Sequence, residues 1–268
     1  MIDTTFITTG DGCRLAYRLD GDDTKPALVL SNSIGTTLHM WDGQIAALTE
    51  HFRVLRYDAR GHGESDAPAG AYSMDRLGRD VIELLDALGI ARAHYLGLSL
   101  GGLVGQWLGI HAPDRIDQLI LSNTSAHLGP VNEFDARIAA VQTSPDMAAV
   151  AQAFLANWFP AHMFEAKHPA IEPFRDMLLS TTPRGLAGSY AAVRDNDMRR
   201  TIALIHRPTL VIAGSNDTVT LVSHGEHIAA TVPGARLVIL PAVHLPNIEH
   251  PELYMRTVLD FLLEGEAA

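Results

Sequence analysis

The run Gly97-Leu98-Ser99-Leu100-Gly101 constrains this chain more than any other segment. It fits the Gly-x-Ser-x-Gly turn, in which a serine is lifted clear of the end of a buried strand. Ala93-His94-Tyr95-Leu96 ahead of it reads as that strand, and Gly102 to Ile110 behind it as an apolar helix. Gly97 and Gly101 lack Cβ atoms that would collide as strand and helix pack across the turn. The helix start also presents unpaired N–H groups where a negative oxygen would form. The plainer alternative is a glycine-rich strand–helix turn that merely contains a serine. The strand and helix on either side favour a catalytic serine.

Around this turn, strands and helices alternate. Phe6–Thr9 and Arg14–Leu19 read as a hairpin turning at Gly10-Asp11-Gly12. Ala27–Ser31 is a continuous apolar strand, as in a sheet covered on both faces. A helix from about Met40 to Leu48 and a strand at Phe52–Tyr57 follow, then a helix from Asp75 to Leu88 ending at Gly89. Asp117–Ser122, Thr209–Gly214 and Arg236–Leu240 are further strands; Leu221–Ala230 and Glu252–Leu263 are further helices. Between residues 126 and 199 the pattern is helical, broken by prolines, with no clear strand. The expected fold is α/β: a mostly parallel central sheet, mixed by its leading hairpin, with helices on both faces. Residues 1–125 and 200–268 form its core, and residues 126–199 a helical cap inserted between strands 6 and 7. Such a cap covers the C-terminal strand ends, where open α/β sheets place their sites.

Composition narrows the partners. A net charge of -11 argues against nucleic acid, whose phosphates need a basic face. It also means that an anionic substrate needs a local cationic pocket. No apolar run is long enough to suggest a membrane span, and Met1–Thr5 has neither the basic nor the apolar part of a leader. A single cysteine, Cys13, leaves no internal disulfide and suits a reducing, cytoplasmic setting. The oligomeric state is not legible.

A serine hydroxyl is a poor nucleophile at neutral pH; it needs a base, and the base an orienting carboxylate. In this architecture they follow in the order Ser, Asp or Glu, His, each just after a strand. Asp217 follows the strand ending at Gly214, and His244 follows the strand ending at Leu240. With 13 histidines in the chain, chance matches must be weighed. His250 competes, but Glu249-His250-Pro251-Glu252 reads as a helix start. Asp217 alone is compatible with ordinary turn chemistry. The order and spacing of all three favour the set Ser99, Asp217 and His244. An oxyanion hole would take one backbone N–H from Leu100 and a second from the loop Ser31-Asn32-Ser33-Ile34-Gly35, which we assign to Ser33.

Other signals are bland. Gly61-His62-Gly63-Glu64-Ser65 lacks the third glycine of a dinucleotide loop, and Pro68 blocks the helix, so it reads as a structural loop. His224 and His227 share a helical face, but two histidines alone make a weak metal site. Trp158-Phe159-Pro160 fits cap core or pocket wall equally.

With these residues placed, the chain resembles the α/β-hydrolase superfamily and, more narrowly, the 3-oxoadipate enol-lactonases. The resemblance rests on Leu30–Asp42, Arg56–Ser65, Leu96–Leu103 and His244–Glu249, and is looser through the cap, where Asn157-Trp158-Phe159 matches best. Ser31-Asn32, where many relatives carry His-Gly, belongs to its more discriminating segment. The resemblance implies hydrolysis of 3-oxoadipate enol-lactone, a small anionic lactone formed in the bacterial breakdown of aromatic acids. It implies Ser-His-Asp acyl-enzyme chemistry with neither metal nor organic cofactor. The substrate carboxylate would need a cationic partner, and Arg137, Arg175 and Arg194 in the cap are the candidates, with Trp158 as a pocket wall. Carboxylesterases, perhydrolases and carbon–carbon bond hydrolases of the same fold share this chemistry. Dehalogenases and epoxide hydrolases place an aspartate at the turn, and Ser99 argues against both. A ligand-binding, receptor-like protein with incidental turnover is the reading from a different class.

Overall fold

The computed structural model describes residues 5–264. Residues 1–4, most of the stretch weighed above as a leader, lie outside the described residues. The strands are β1 (Thr5–Thr8), β2 (Arg14–Asp20), β3 (Ala27–Ser31), β4 (Arg53–Tyr57), β5 (Ala93–Leu98), β6 (Ile116–Ser122), β7 (Thr209–Gly214) and β8 (Arg236–Leu240). They form one sheet in the order β1-β2-β4-β3-β5-β6-β7-β8. The hairpin β1–β2 and the β2–β4 pair are antiparallel; every later pair is parallel.

Alternation along the central strands divides the core. Val29, Tyr95 and Val211 face one side; Leu28, Leu30, Leu96, Leu210 and Ile212 face the other. The first side is covered by α2 (Met74–Ala87), α3 (Leu100–His111) and α9 (Val222–Thr231), through residues such as Val81, Val104 and Ile228. The second is covered by α1 (Ile45–Thr49) and α11 (Pro251–Glu264), through Leu48, Tyr254 and Val258. In α2, Ser73 caps the start by accepting the Arg76 N–H at 3.1 Å, and Leu77, Val81 and Leu84 repeat on the buried face. The helix expected from Met40 to Leu48 is instead a 3-10 turn over Leu38–Gln44 running into α1. Asp58 explains the earlier start, because its Oδ1 accepts the Leu38 N–H at 2.7 Å and satisfies the opening turn.

Between β6 and β7 lie α4 (Val131–Thr143), α5 (Ala148–Trp158), α6 (Ala161–Glu165), α7 (Ile171–Ser180) and α8 (Pro183–Arg194). Four of them form two packed pairs, α4 on α8 and α5 on α7, and the short α6 joins α5 to α7. The pairs meet where Phe154 stacks on Tyr190 at 6.3 Å. The short α10 (Pro246–Glu249) links β8 to α11. Among the described residues no helix is long and apolar enough to cross a membrane.

Candidate active site

Ser99 sits between β5 and α3 with φ 59° and ψ -112°, a conformation that costs a non-glycine residue about 1–3 kcal/mol. The surroundings hold it there. Its N–H donates to Ser122 O at 2.9 Å, and its carbonyl accepts from Thr124 Oγ1 at 2.8 Å. A Cβ on Gly97 would press into the Gly101 carbonyl, and one on Gly101 into the Ser31 carbonyl. Both glycines are therefore required by the close approach of α3 to the sheet.

Asp217 follows β7 and His244 follows β8, at the same sheet edge as Ser99. Asp217 Oδ2 lies 2.8 Å from His244 Nδ1. That oxygen also accepts Asn123 Nδ2 at 3.0 Å and Thr220 Oγ1 at 2.7 Å, while Oδ1 accepts the Val219 and Thr220 N–H groups at 2.8 and 3.0 Å. Burial alone would push the Asp217 carboxyl up. The charge of His244 and the hydrogen bonds from His244, Asn123 and Thr220 outweigh it, holding the carboxyl down at about 2. The carboxylate thus orients the ring, which leaves the Nε2 edge as the one available for proton transfer.

Ser99, Leu100 and His244 line one cavity of about 430 Å³, within the usual range for a small-molecule site. No hydrogen bond joins Ser99 Oγ to His244 among the described residues. The inserted helices supply the roof. Phe134, Tyr190, Phe154 and Trp158 line it as a connected aromatic row. Trp158 answers to both of its sequence readings: it is 1% exposed, packs edge-on against Phe174 and still walls the cavity.

The three arginines separate. Arg137 lines the cavity, its side chain half exposed, with its guanidinium 5.0 Å from the Phe134 ring centre and 3.9 Å from Glu133. Arg175 is not at the cavity and pairs with Glu172 at 3.3 Å. Arg194 is not there either; Asp195 and Asp135 hold it at 2.7 and 2.9 Å. Among the described residues Arg137 is the cavity's one lysine or arginine.

The assignment of the second oxyanion donor to Ser33 is corrected. Ser33 N–H is directed at Met40 Sδ, 3.3 Å away, and Ser33 does not line the cavity. Ile34 does, and neither its N–H nor that of Leu100 has a hydrogen-bond acceptor among the described residues. The loop carrying Ile34 is fastened by Asn32, which accepts Trp41 Nε1 and donates to Tyr57 O, at 2.9 and 2.8 Å. Sequence reasoning also missed Asn123 and Thr220; the available signals were the place of Asn123 directly after β6 and that of Thr220 three residues beyond Asp217. It gave His62 no role, yet His62 Nε2 accepts the Gly35 N–H at 2.8 Å in the same loop.

A strained serine at a strand–helix turn, a histidine–carboxylate pair beside it and free N–H groups in a roofed cavity define a hydrolase of the α/β class. The family model for the alpha/beta hydrolase fold matches residues 26–251, and the chain belongs to that family. It is 38% identical to 3-oxoadipate enol-lactonase 2 of Acinetobacter baylyi, over 93% of each chain. It is 34% identical to the putative carbamate hydrolase RutD of Pseudomonas savastanoi pv. phaseolicola, over 88% of this chain and 93% of that one. Among solved structures, a hydrolase from Pseudomonas aeruginosa PA01 is 62% identical with a TM-score of 0.96, over 97% of this chain and 98% of that one. The enol-lactonase from Burkholderia xenovorans LB400 is 41% identical with a TM-score of 0.94, over 97% of this chain and 100% of that one.

Proposed function

We propose that the protein is a serine hydrolase that opens a small carboxylated lactone, with 3-oxoadipate enol-lactone as substrate in the breakdown of aromatic acids. The observation that carries this reading is the shared cavity of Ser99 and the Asp217-held His244, with Arg137 as its cation. Similarity to enol-lactonases supports the choice of substrate.

In this reading substrate binding brings Ser99 Oγ and His244 Nε2 within hydrogen-bond reach, a tightening common in such sites. His244 takes the Ser99 proton as the oxygen attacks the lactone carbonyl. The Ile34 and Leu100 N–H groups carry the resulting oxyanion. Collapse of the tetrahedral adduct breaks the ring C–O bond and expels a resonance-stabilised enolate, which becomes a ketone by taking up the proton that His244 holds and so returns His244 to its neutral form. His244 then deprotonates water for attack on the acyl-Ser99 ester, and Asp217 orients the ring through both halves. Arg137 pairs with the substrate carboxylate at the cavity mouth, where a half-exposed guanidinium lets that charge stay partly hydrated.

The test is a comparison of kcat/KM for freshly generated enol-lactone, a neutral aryl ester and a simple carbamate. The lactone should be turned over fastest, and Ser99→Ala should abolish turnover of all three. A higher kcat/KM for the ester or carbamate would overturn the lactone assignment. Turnover surviving in Ser99→Ala would overturn the serine mechanism, and saturable lactone binding without turnover would favour a receptor-like protein.

A further inference from the structure

We propose that Thr36 is a positioning residue for the oxyanion hole, acting through the peptide that joins Ser33 to Ile34. The inference rests on the hydrolase reading above. In a trans peptide the C=O and N–H point to opposite edges of one plane. The Ser33 carbonyl is fixed, accepting Thr36 Oγ1 at 2.7 Å and the Thr36 N–H at 3.2 Å. The N–H across that same plane is that of Ile34, and it is thereby turned away from Thr36 and left without a protein acceptor among the described residues.

The peptides on either side are pinned as well. The one ahead gives its Ser33 N–H to Met40 Sδ at 3.3 Å. The one behind gives its Gly35 N–H to His62 Nε2 at 2.8 Å. His62 in turn has its Nδ1 3.2 Å from Arg60 O, an arrangement in which Nδ1 carries the proton and Nε2 is the acceptor. Three consecutive peptides are therefore held by three side chains, two from the segment that follows and one, His62, from the loop after β4. Of the three, only the middle one has an N–H without a protein acceptor among the described residues, and that N–H belongs to Ile34, which lines the cavity.

Thr36 matters most because a flip of the middle peptide would exchange the Ile34 N–H for the Ser33 carbonyl, replacing a donor by an acceptor where negative charge develops. A hydroxyl bonded to that carbonyl also polarises the amide and strengthens its N–H as a donor. Thr36 Oγ1 lies 3.0 Å from Met40 Sδ too, but a carbonyl is the stronger acceptor and takes the single proton. Thr36 is 1% exposed and does not line the cavity, so it cannot touch a substrate. Its effect should appear in the rate of chemistry and not in ground-state binding.

The experiment compares wild type, Thr36→Val and Thr36→Ser, reading kcat, KM, inhibition by a boronic acid and inhibition by the carboxylate product. A boronic acid forms a tetrahedral anionic adduct on the serine, whereas the product reports ground-state affinity. In T36V, kcat and boronic acid affinity should each fall roughly tenfold to a hundredfold, less than deleting an oxyanion donor outright. KM and product affinity should stay within about twofold, and T36S should recover most of the loss. If T36V proves unfolded, Thr36→Ala, which adds no bulk, carries the same expectations. Unchanged kcat and boronic acid affinity in a folded variant would overturn the proposal. So would an equal loss of product and boronic acid binding, which marks general damage to the cavity. Failure of the underlying reading looks different: wild type would bind no boronic acid, and Ser99→Ala would keep its turnover.

Discussion

Asn123 Nδ2 lies 3.0 Å from Asp217 Oδ2, and the same amide reaches the Val243 carbonyl at 3.2 Å. One side chain at the end of β6 thus ties the loop after β7 to the loop after β8, next to His244. Asn123 itself is at φ 43°, in the left-handed region that asparagine tolerates better than most residues. Replacing it by alanine removes both bonds and leaves Asp217 with one donor fewer. Asn123→Ala is expected to lower kcat about tenfold or more and to cost about 1–3 kcal/mol in stability. Steady-state kinetics with chemical denaturation checks both.

Arg137 should act on binding of anionic substrates alone. Arg137→Ala is expected to raise KM for the carboxylated lactone about tenfold, at the low end for a charge-assisted hydrogen bond because the side chain is half exposed. KM for a neutral ester should move less than about twofold. Equal changes for both would remove Arg137 from substrate recognition.

The turn around Ser99 leaves no space for added atoms. Gly97→Ala is expected to cost more than about 3 kcal/mol or to give no folded protein, because the new Cβ meets the backbone of Gly101. Gly43 is the control: a Cβ there meets nothing within 4 Å, so Gly43→Ala should shift stability by less than about 1 kcal/mol. Thermal unfolding of the two variants tests the contrast.

Buried His62 makes stability depend on pH. Burial pulls its imidazole from 6.5 down to about 4, against the smaller opposing effect of its bond to Arg60 O. The unfolded chain therefore takes up the proton first as pH falls. This contribution is complete above about pH 6.5 and shrinks toward pH 4, by up to about 3 kcal/mol in total. Asp217 acts lower: its depressed carboxyl contributes above the ordinary value of 3.8 and loses that contribution as pH falls toward about 2. Between about pH 7 and pH 4.5 the unfolding free energy should fall more steeply for wild type than for His62→Gln. Parallel slopes would remove His62 from the acid sensitivity.

The parts of the site legible in the sequence are those fixed by strand-end position. Ser99, Asp217 and His244 each follow a strand that hydrophobic patterning alone reveals, and an α/β sheet brings such positions to one edge. The Ser33 assignment failed because adjacent peptides in one loop differ only in orientation. That orientation is decided by Met40, Thr36 and His62, and nothing in the local pattern announces their contacts. The choice among Arg137, Arg175 and Arg194 was equally hidden. It depends on which face of each cap helix turns inward, and the low amphipathic contrast of α4 leaves that face unmarked. His62 was passed over because its motif reads as loop chemistry, while its partner, the Gly35 N–H, is 27 positions away.

Four of the inserted helices form two couples, α4 with α8 and α5 with α7, in contact at Phe154 and Tyr190. Ser99, Asp217 and His244 stand on strand ends beneath, whereas the ceiling sets the shape of the space above them. Phe134 and Tyr190 from the first couple and Phe154 and Trp158 from the second bound the same space, so a guest of different length or girth calls for new side chains overhead while the floor stays intact.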